Sequence, residues 1–397
     1  MWQMVGAIAP LLVLPILVPL VGASGWVAVS LGQAFGAVGA VGIGLAWPIL
    51  GPSRVAGRSS RHASAVYRES LIMRGAAFVP VTALSAVLAA AFAEGQHAIL
   101  AALTGVAVAG YGLSPGWYYI GTGRPLDLLQ HETAPRVLGS VVALPLLLMT
   151  KEPLAYPLAL IAFNLAGAWL ATRRICGGFA LRDWRTPDPV SVRSHLRLAV
   201  SAAVGAGYTS LVIPLAQVAG LNVGGLASLA GALRIRAFAQ AGVSAGTSAV
   251  QGWVSEDGSG KPNRRRIAAA LSLMSSLGVI AGLSVYFLLP IAVILLFQGA
   301  FQVSDSLRLV TAATCVFFAL GSSLSSHVLA PIGAARVIAH SRLAGTVVGV
   351  PCVLLLAQSY GATGAATGML AAEMVVVLIQ GWRAFFIFRG PDAGVWR

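Results

Sequence analysis

Runs of about 20 apolar residues, each long enough to cross a hydrocarbon layer about 30 Å thick as a helix, recur along the whole chain. Twelve are present, at roughly 3–22, 26–50, 75–93, 97–116, 137–150, 153–172, 199–218, 225–253, 267–297, 308–331, 343–359 and 362–382. The fifth is short and the ninth long. At about 21 residues apiece they take up about 252 of the 397 residues. No stretch between them exceeds about 25 residues, too few for a folded soluble domain. Composition agrees: 57% of residues are hydrophobic and 10% charged, against about 25% charged in a soluble domain. A soluble enzyme, a secreted protein and a disulfide scaffold are excluded. The predicted fold class is an all-α polytopic membrane protein with about twelve transmembrane helices.

The formal net charge of +14 suggests nucleic acid until its distribution is read. With the N-terminus inside, 22 of the 26 Lys and Arg residues fall in cytoplasmic segments, and only Lys151 and Arg308 fall outside. Arg234 and Arg236 lie within the eighth run. This is the positive-inside pattern over short loops, and it predicts a multi-pass membrane protein with both termini cytoplasmic and no nucleic-acid partner; the plasma (inner) membrane is its expected location. The first run is read as a helix rather than a cleaved signal peptide, because its apolar stretch is too long and no basic residue precedes it. Cys176, Cys315 and Cys352 have no paired spacing, so neither a disulfide nor a metal site is expected. No HExxH, P-loop, dinucleotide turn or Ser-His-Asp spacing occurs, so no ATP hydrolysis, no cofactor and no enzymatic activity are expected.

The basic loop from Arg173 to Arg197 divides the runs six and six. The predicted organisation is an N-terminal six-helix bundle over 1–174, a cytoplasmic linker over 175–198 and a C-terminal six-helix bundle over 199–397. The halves match at an offset of about 210 residues: Tyr119–Arg124 ends run four, and Pro331–Arg336 ends run ten. A shift of 209 sets Asn164 against Glu373 and Arg174 against Arg383. Each half then carries one polar side chain about 16 Å below the outer surface, near the bilayer midplane. Two repeats meeting around a midplane site is a common transporter design.

A charge at that depth costs at least about 2.5–3.5 kcal/mol and marks a functional residue by default. Three are present: Arg234, Arg236 and Glu373. In run eight, Arg236, Gln240, Ser244, Thr247 and Gln251 follow at steps of four, four, three and four, which keeps them on one helix face. Arg234 lies about 200° away from Arg236. Arg236 therefore contacts an anionic group of a translocated substrate, its planar fork suiting phosphate, or it pairs with Glu373 to hold the second half together. Glu373 is either an ion-coupling carboxylate or that structural partner. Arg54, Arg58, Arg61 and Arg68 form one face if the segment after run two is a surface helix. Arg54, Arg58 and Arg61, with Arg124, would then line the cytoplasmic mouth and meet lipid phosphates, or serve as topogenic charge. His327 in run ten is either a titrating group or, as the preferred reading, a hydrogen-bonded core histidine, and the Gly36–Gly42 stretch reads as a surface for close helix packing.

Three stretches carry a family resemblance. Pro115-Gly116-Trp117-Tyr118-Tyr119-Ile120-Gly121-Thr122-Gly123-Arg124 looks like an aromatic-then-Gly-Arg turn after a fourth helix. Leu288-Leu289-Pro290 through Phe297-Gln298-Gly299-Ala300-Phe301 looks like a Leu-Pro helix closing in a Phe-Gly-x-x-Phe turn, with the glycine displaced by Gln298. Gly361-Ala362-Thr363-Gly364-Ala365-Ala366 through Glu373 is similar to a Gly-Ala-x-Gly-Ala-Ala opening of the last helices. Together they resemble the polysaccharide-biosynthesis flippases of the multidrug/oligosaccharidyl-lipid/polysaccharide exporter superfamily. Gly225-Leu226-Ala227 to Arg234 resembles that family's eighth-helix opening, which attaches Arg234 rather than Arg236 to the pattern. Run one departs from it in lacking polar residues.

The resemblance implies two bundles around a central cavity and export of a polyprenyl-pyrophosphate-linked oligosaccharide by alternating access. Arg236, Arg234, Gln240, Ser244, Thr247, Gln251 and Asn164 become candidate substrate contacts, and Glu373 an ion-coupling site. Membrane lipids, a polysaccharide polymerase and glycosyltransferases become partners. A cation-coupled multidrug antiporter of the same fold is the nearest rival, disfavoured by one intramembrane Glu against two Arg. A polytopic glycosyltransferase lacks catalytic groups on its short outer loops.

Overall fold

The structure, a computed structural model, describes residue 6 and residues 9–177, 188–255 and 264–389. Every regular element among these residues is helical, as backbone that must satisfy its own N–H and C=O groups in lipid requires. The α-helices are α1 (Leu14–Gly44), α2 (Trp47–Val55), α3 (Ser60–Phe92), α4 (Ala98–Ala109), α5 (Gly116–Gly121), α6 (Pro125–Leu128) and α7 (Ala134–Thr150). They continue as α8 (Ala155–Cys176), α9 (Pro189–Ser210), α10 (Val212–Val218), α11 (Val223–Ser255), α12 (Arg264–Phe297), α13 (Asp305–Ser323) and α14 (Ala335–Arg389). Single π-turns, Leu129–Thr133 and Leu324–Leu329, precede α7 and follow α13.

The twelve apolar runs do not map one to one onto these helices. Among the described residues eight stretches are long and apolar enough to cross a membrane. Runs one and two share α1, interrupted at Gly22, and runs eleven and twelve share α14, interrupted at Gly361. Run five is short only in apolar residues, because helical structure begins at Pro125, ahead of the apolar stretch. Run seven is split into α9 and α10. The segment after run two is not one surface helix: α2 ends at Val55, Gly57 takes a positive φ, and Ser59 caps a new helix by accepting from the His62 amide. Arg54 therefore lies on α2, Arg58 in the turn, and Arg61 and Arg68 on α3, which dissolves the predicted common face.

The chain forms two compact units that part between Leu211 and Val212. Residues 178–187 of the predicted linker lie outside the described residues, and α9, which includes its last residues, packs against α1 within the N-terminal unit. In that unit α1 packs on α3 and α4, which pack on each other, and α8 packs on α4 and α7. The glycine-rich stretch of α1 permits its close approach to α4: a Cβ at Gly36 would meet the Gly105 carbonyl and the Val108 side chain. The C-terminal unit repeats the order, with α11 packed on α12 and α13, α12 on α13, and α14 on α11 and α13. Gly123 and Gly333, 210 residues apart (333 − 123), both take positive φ in the turns before α6 and α14.

Gly361 adopts φ 60°, ψ −139°, a conformation essentially reserved for glycine. There α14 folds back on itself. A Cβ at Gly364 would overlap the Leu356 carbonyl, and one at Gly368 the backbone of Val353. The Gly361–Gly368 stretch is thus the hinge and contact strip of a helical hairpin, and Glu373 lies on its second arm. Gln298 takes φ 49° at the end of α12, where the family pattern has glycine, and Gly299 follows at φ 71°. Gly361→Ala should lower stability by about 1–3 kcal/mol, read as a lower thermal unfolding midpoint in detergent, while the neighbouring Ala362→Ser leaves it unchanged. Equal midpoints for Gly361→Ala and wild type would show that this turn carries no glycine requirement.

Candidate functional site

The helix bearing Arg234 and Arg236, which is not one of the eight stretches long and apolar enough to cross a membrane, is anchored at its start. The Asn222 side chain caps α11 by accepting from the Gly225 amide at 2.8 Å. Ser228 donates to the Gln302 carbonyl at 2.6 Å, and the Phe301 ring lies where a side chain at Gly231 would stand. The turn that resembled the family pattern therefore docks on α11 just ahead of Arg234 and Arg236.

Arg236, Val243, Thr247 and Val254 are all buried on α11, and steps of 100° keep them within about 40° of one another. Gln240 is half-buried, whereas Ser244 and Gln251 are exposed, turned about 60–80° from Arg236. The predicted stripe thus straddles the border of the buried face: Arg236 and Thr247 point inward, and Ser244 and Gln251 outward. Arg234, half-buried on the other side, stacks 5.5 Å from the Phe238 ring centroid. Glu373 on α14 is 4% exposed and Arg236 5%. Both act electrostatically on the fully buried Cys315 thiol of α13. Three mutually packed helices therefore bring a guanidinium, a thiol and a carboxylate into one neighbourhood.

Thr247 is committed to the interior. Its hydroxyl donates to the Val243 carbonyl at 3.0 Å and lies 3.2 Å from Ser322 Oγ. The Thr247 carbonyl lies 3.2 Å from His327 Nε2, so that nitrogen carries the proton, and Nδ1 accepts from Ser323 Oγ at 3.0 Å. His327 is the core histidine anticipated from sequence. Beside it, Ser325 donates to Gln380, and Gln380 donates to Ser341 at 2.9 Å, tying the π-turn to both arms of α14.

In the N-terminal unit Asn164 donates to the Ala107 carbonyl at 3.4 Å. It lines a cavity of about 20 Å³ with Tyr111, Ser114, His131, Glu132 and Arg136, a volume that holds about one water. Arg136 pairs with Glu132 at 3.1 Å and covers the Tyr111 ring at 4.4 Å. Arg136 is one of the 22 basic residues that the charge distribution assigns to cytoplasmic segments, and the Glu132/Arg136 spacing of four is the sequence signal for its pairing. Arg74, another of the 22, was missed. Only 1% exposed, it donates to the Ser114 carbonyl at 2.8 Å and to Ser70 Oγ at 3.1 Å, closing the end of the α4 segment. Of the predicted mouth residues, Arg54 pairs with Glu69 at 3.0 Å, while Arg58, Arg61 and Arg124 are exposed. Among the described residues no cluster of three or more His, Cys, Asp or Glu comes together to hold a metal.

Neither a protein-family model nor a curated protein matches this sequence. Its fold does have counterparts among solved structures. A multidrug resistance MATE family transporter of the MOP superfamily, in an inward-facing conformation, superposes with TM-score 0.67 at 17% identity, over 98% of this chain and 95% of the other. An outward-facing MATE family transporter gives 0.62 at 15%, over 100% and 95%. The lipid II flippase MurJ in an inward closed conformation gives 0.61 at 13%, over 96% and 86%. The chain therefore has the fold that MATE transporters and MurJ share, as the family resemblance implied.

Replacing Arg236 or Glu373 singly with Met leaves the opposite charge buried, so each change should cost about 3–5 kcal/mol. The double variant should recover part of that loss, measured as non-additive unfolding free energies in a double-mutant cycle. Strictly additive losses would mean that the two charges are independent.

Proposed function

We propose that this protein is a membrane transporter that moves a polyprenyl-pyrophosphate-linked oligosaccharide from the inner to the outer leaflet for cell-surface polysaccharide export. It works by alternating access and without ATP hydrolysis. The observation that carries this reading is Arg236, a buried guanidinium in the middle of α11, in a fold shared with a lipid II flippase. The lipid tail of such a cargo stays in the bilayer, while the pyrophosphate needs a cation wherever water is excluded. Arg236 supplies two parallel donors to phosphate, and Glu373 holds that guanidinium between cargoes. Gln240, Ser244 and Gln251, at the edge of the buried face, offer hydrogen bonds to sugar hydroxyls, and Asn164 is a further candidate contact. Arg58, Arg61 and Arg124, exposed in or beside the turns that join their helices, attract the anionic head group. The protein resides in the plasma membrane with both termini cytoplasmic, where polymerase and glycosyltransferases are its natural partners.

A second reading is supported by Glu373 itself. A buried carboxylate on a MATE-like fold suits cation-coupled antiport of a small cationic molecule, with Glu373 exchanging a proton or metal cation for the drug. The readings separate at Arg236. If cargo is anionic, Arg236→Lys keeps the charge but loses the fork, and binding of labelled polyprenyl-pyrophosphate oligosaccharide to the detergent-solubilised protein should weaken about tenfold, about 1.4 kcal/mol. Arg234→Lys should leave it unchanged. Undiminished binding by Arg236→Lys would remove Arg236 from the cargo site.

A further inference from the structure

His195 stands ahead of the seventh apolar run, yet it is 2% exposed. It projects from α9, the helix through which the chain passes from its first compact unit to its second, onto the N-terminal unit. Its ring stacks on Trp47 with centroids 4.5 Å apart and planes 18° from parallel. Nδ1 lies 3.1 Å from the Leu45 carbonyl, and Nε2 lies 3.3 Å from Arg54 Nη1. A carbonyl only accepts and a guanidinium only donates, so Nδ1 carries the proton and Nε2 offers its lone pair to Arg54. The arrangement exists only for the neutral imidazole. Arg54 is held in place by Glu69 at 3.0 Å and by the Trp47 face at 5.0 Å. Glu69 also accepts from Ser191, one turn before His195 on α9, at 3.0 Å.

We propose that His195 is a proton-operated latch: a proton taken up at Nε2 ejects the Arg54 guanidinium and frees the cytoplasmic end of α9 from the N-terminal unit. Protonation turns the acceptor into a donor and sets two cations about 3 Å apart, while Trp47 and the Leu45 carbonyl offer no anion. The charges acting on the ring from the elements around it are Arg54 on α2 and Glu69 on α3; Asp188, Arg193 and Arg197 at and beyond the start of α9 are exposed. Burial, followed by the Arg54 charge, lowers the His195 pKa from its ordinary 6.5, and Glu69 opposes the shift. The sign follows. The latch is fully closed above 6.5, where the imidazole is neutral in either state, and opens as the pH falls through the lowered value. The latch lies within the N-terminal unit and does not depend on which cargo is carried.

The test is hydrogen–deuterium exchange of the full-length protein in detergent at pH 7.5 and pH 5.0, corrected for intrinsic exchange. Amides over 189–200 should lose protection at least tenfold at pH 5.0 in wild type, while those of α4 do not change. His195→Gln, whose amide donates and accepts but takes up no proton, should hold the same protection at both pH values. Arg54→Gln, which removes the facing cation, should move the opening to higher pH. Protection of 189–200 that is independent of pH in wild type would overturn the latch. Equal pH sensitivity of His195→Gln and wild type would do the same, and in Arg54→Gln so would an unchanged opening pH.

Discussion

A charged side chain inside a helical membrane protein has no water to turn to, so the protein must answer it. In this chain that requirement decides where the helices break and what lies against them. Arg74 is met by carbonyls released where α4 gives way before Ser114. Arg136 is met by a carboxylate one turn away and an aromatic face. Arg236 and Glu373, opposite in sign and on different helices, gather around the same thiol. Buried neutral groups obey the same rule: His327, Thr247, Ser325, Gln380 and Ser341 hydrogen-bond to one another, to neighbouring serines and to nearby carbonyls.

Small residues make these encounters possible. Without a side chain at Gly364 and Gly368, the two arms of α14 come close enough to carry Glu373 and Gln380 inward together. Gly231 leaves room for the Phe301 ring, so that the turn after α12 braces the helix that carries Arg236. Motifs that looked like family signatures in the sequence are therefore contacts that fix the depth and direction of the charged side chains.

Helical class was legible because bilayer thickness imposes a fixed length on each run, whereas the count of twelve was not, since eight stretches among the described residues are long and apolar enough to cross a membrane. The interruptions fall at run boundaries because of that fixed length, Gly22 at the end of run one and Gly361 between runs eleven and twelve. Burial of individual polar side chains was less legible. Ser244 and Thr247 are three residues apart on what looked like one stripe, yet a rotation of about 60° puts one outside and one inside. Arg74 and Arg136 resembled ordinary cytoplasmic charge because they flank apolar runs, and only the packing of α3, α4, α7 and α8 encloses them. The affiliation of α9 was hidden, since its first half reads as linker and its second as the opening of run seven, until His195 and Ser191 are seen to grip the N-terminal unit.

The proposed transport of an anionic, lipid-linked cargo would account for a guanidinium kept inside the C-terminal unit, and an inside-negative potential would favour outward movement of that cargo by about 2.3 kcal/mol per charge per 100 mV. The most direct measurement places the protein in vesicles that contain both a labelled polyprenyl-pyrophosphate oligosaccharide and a fluorescent cationic drug, and follows the two side by side. The account predicts accelerated leaflet exchange of the oligosaccharide lipid over protein-free vesicles, faster under an inside-negative potential, with the drug unmoved. Drug movement driven by a proton or sodium gradient, with the lipid remaining in its starting leaflet, would contradict it.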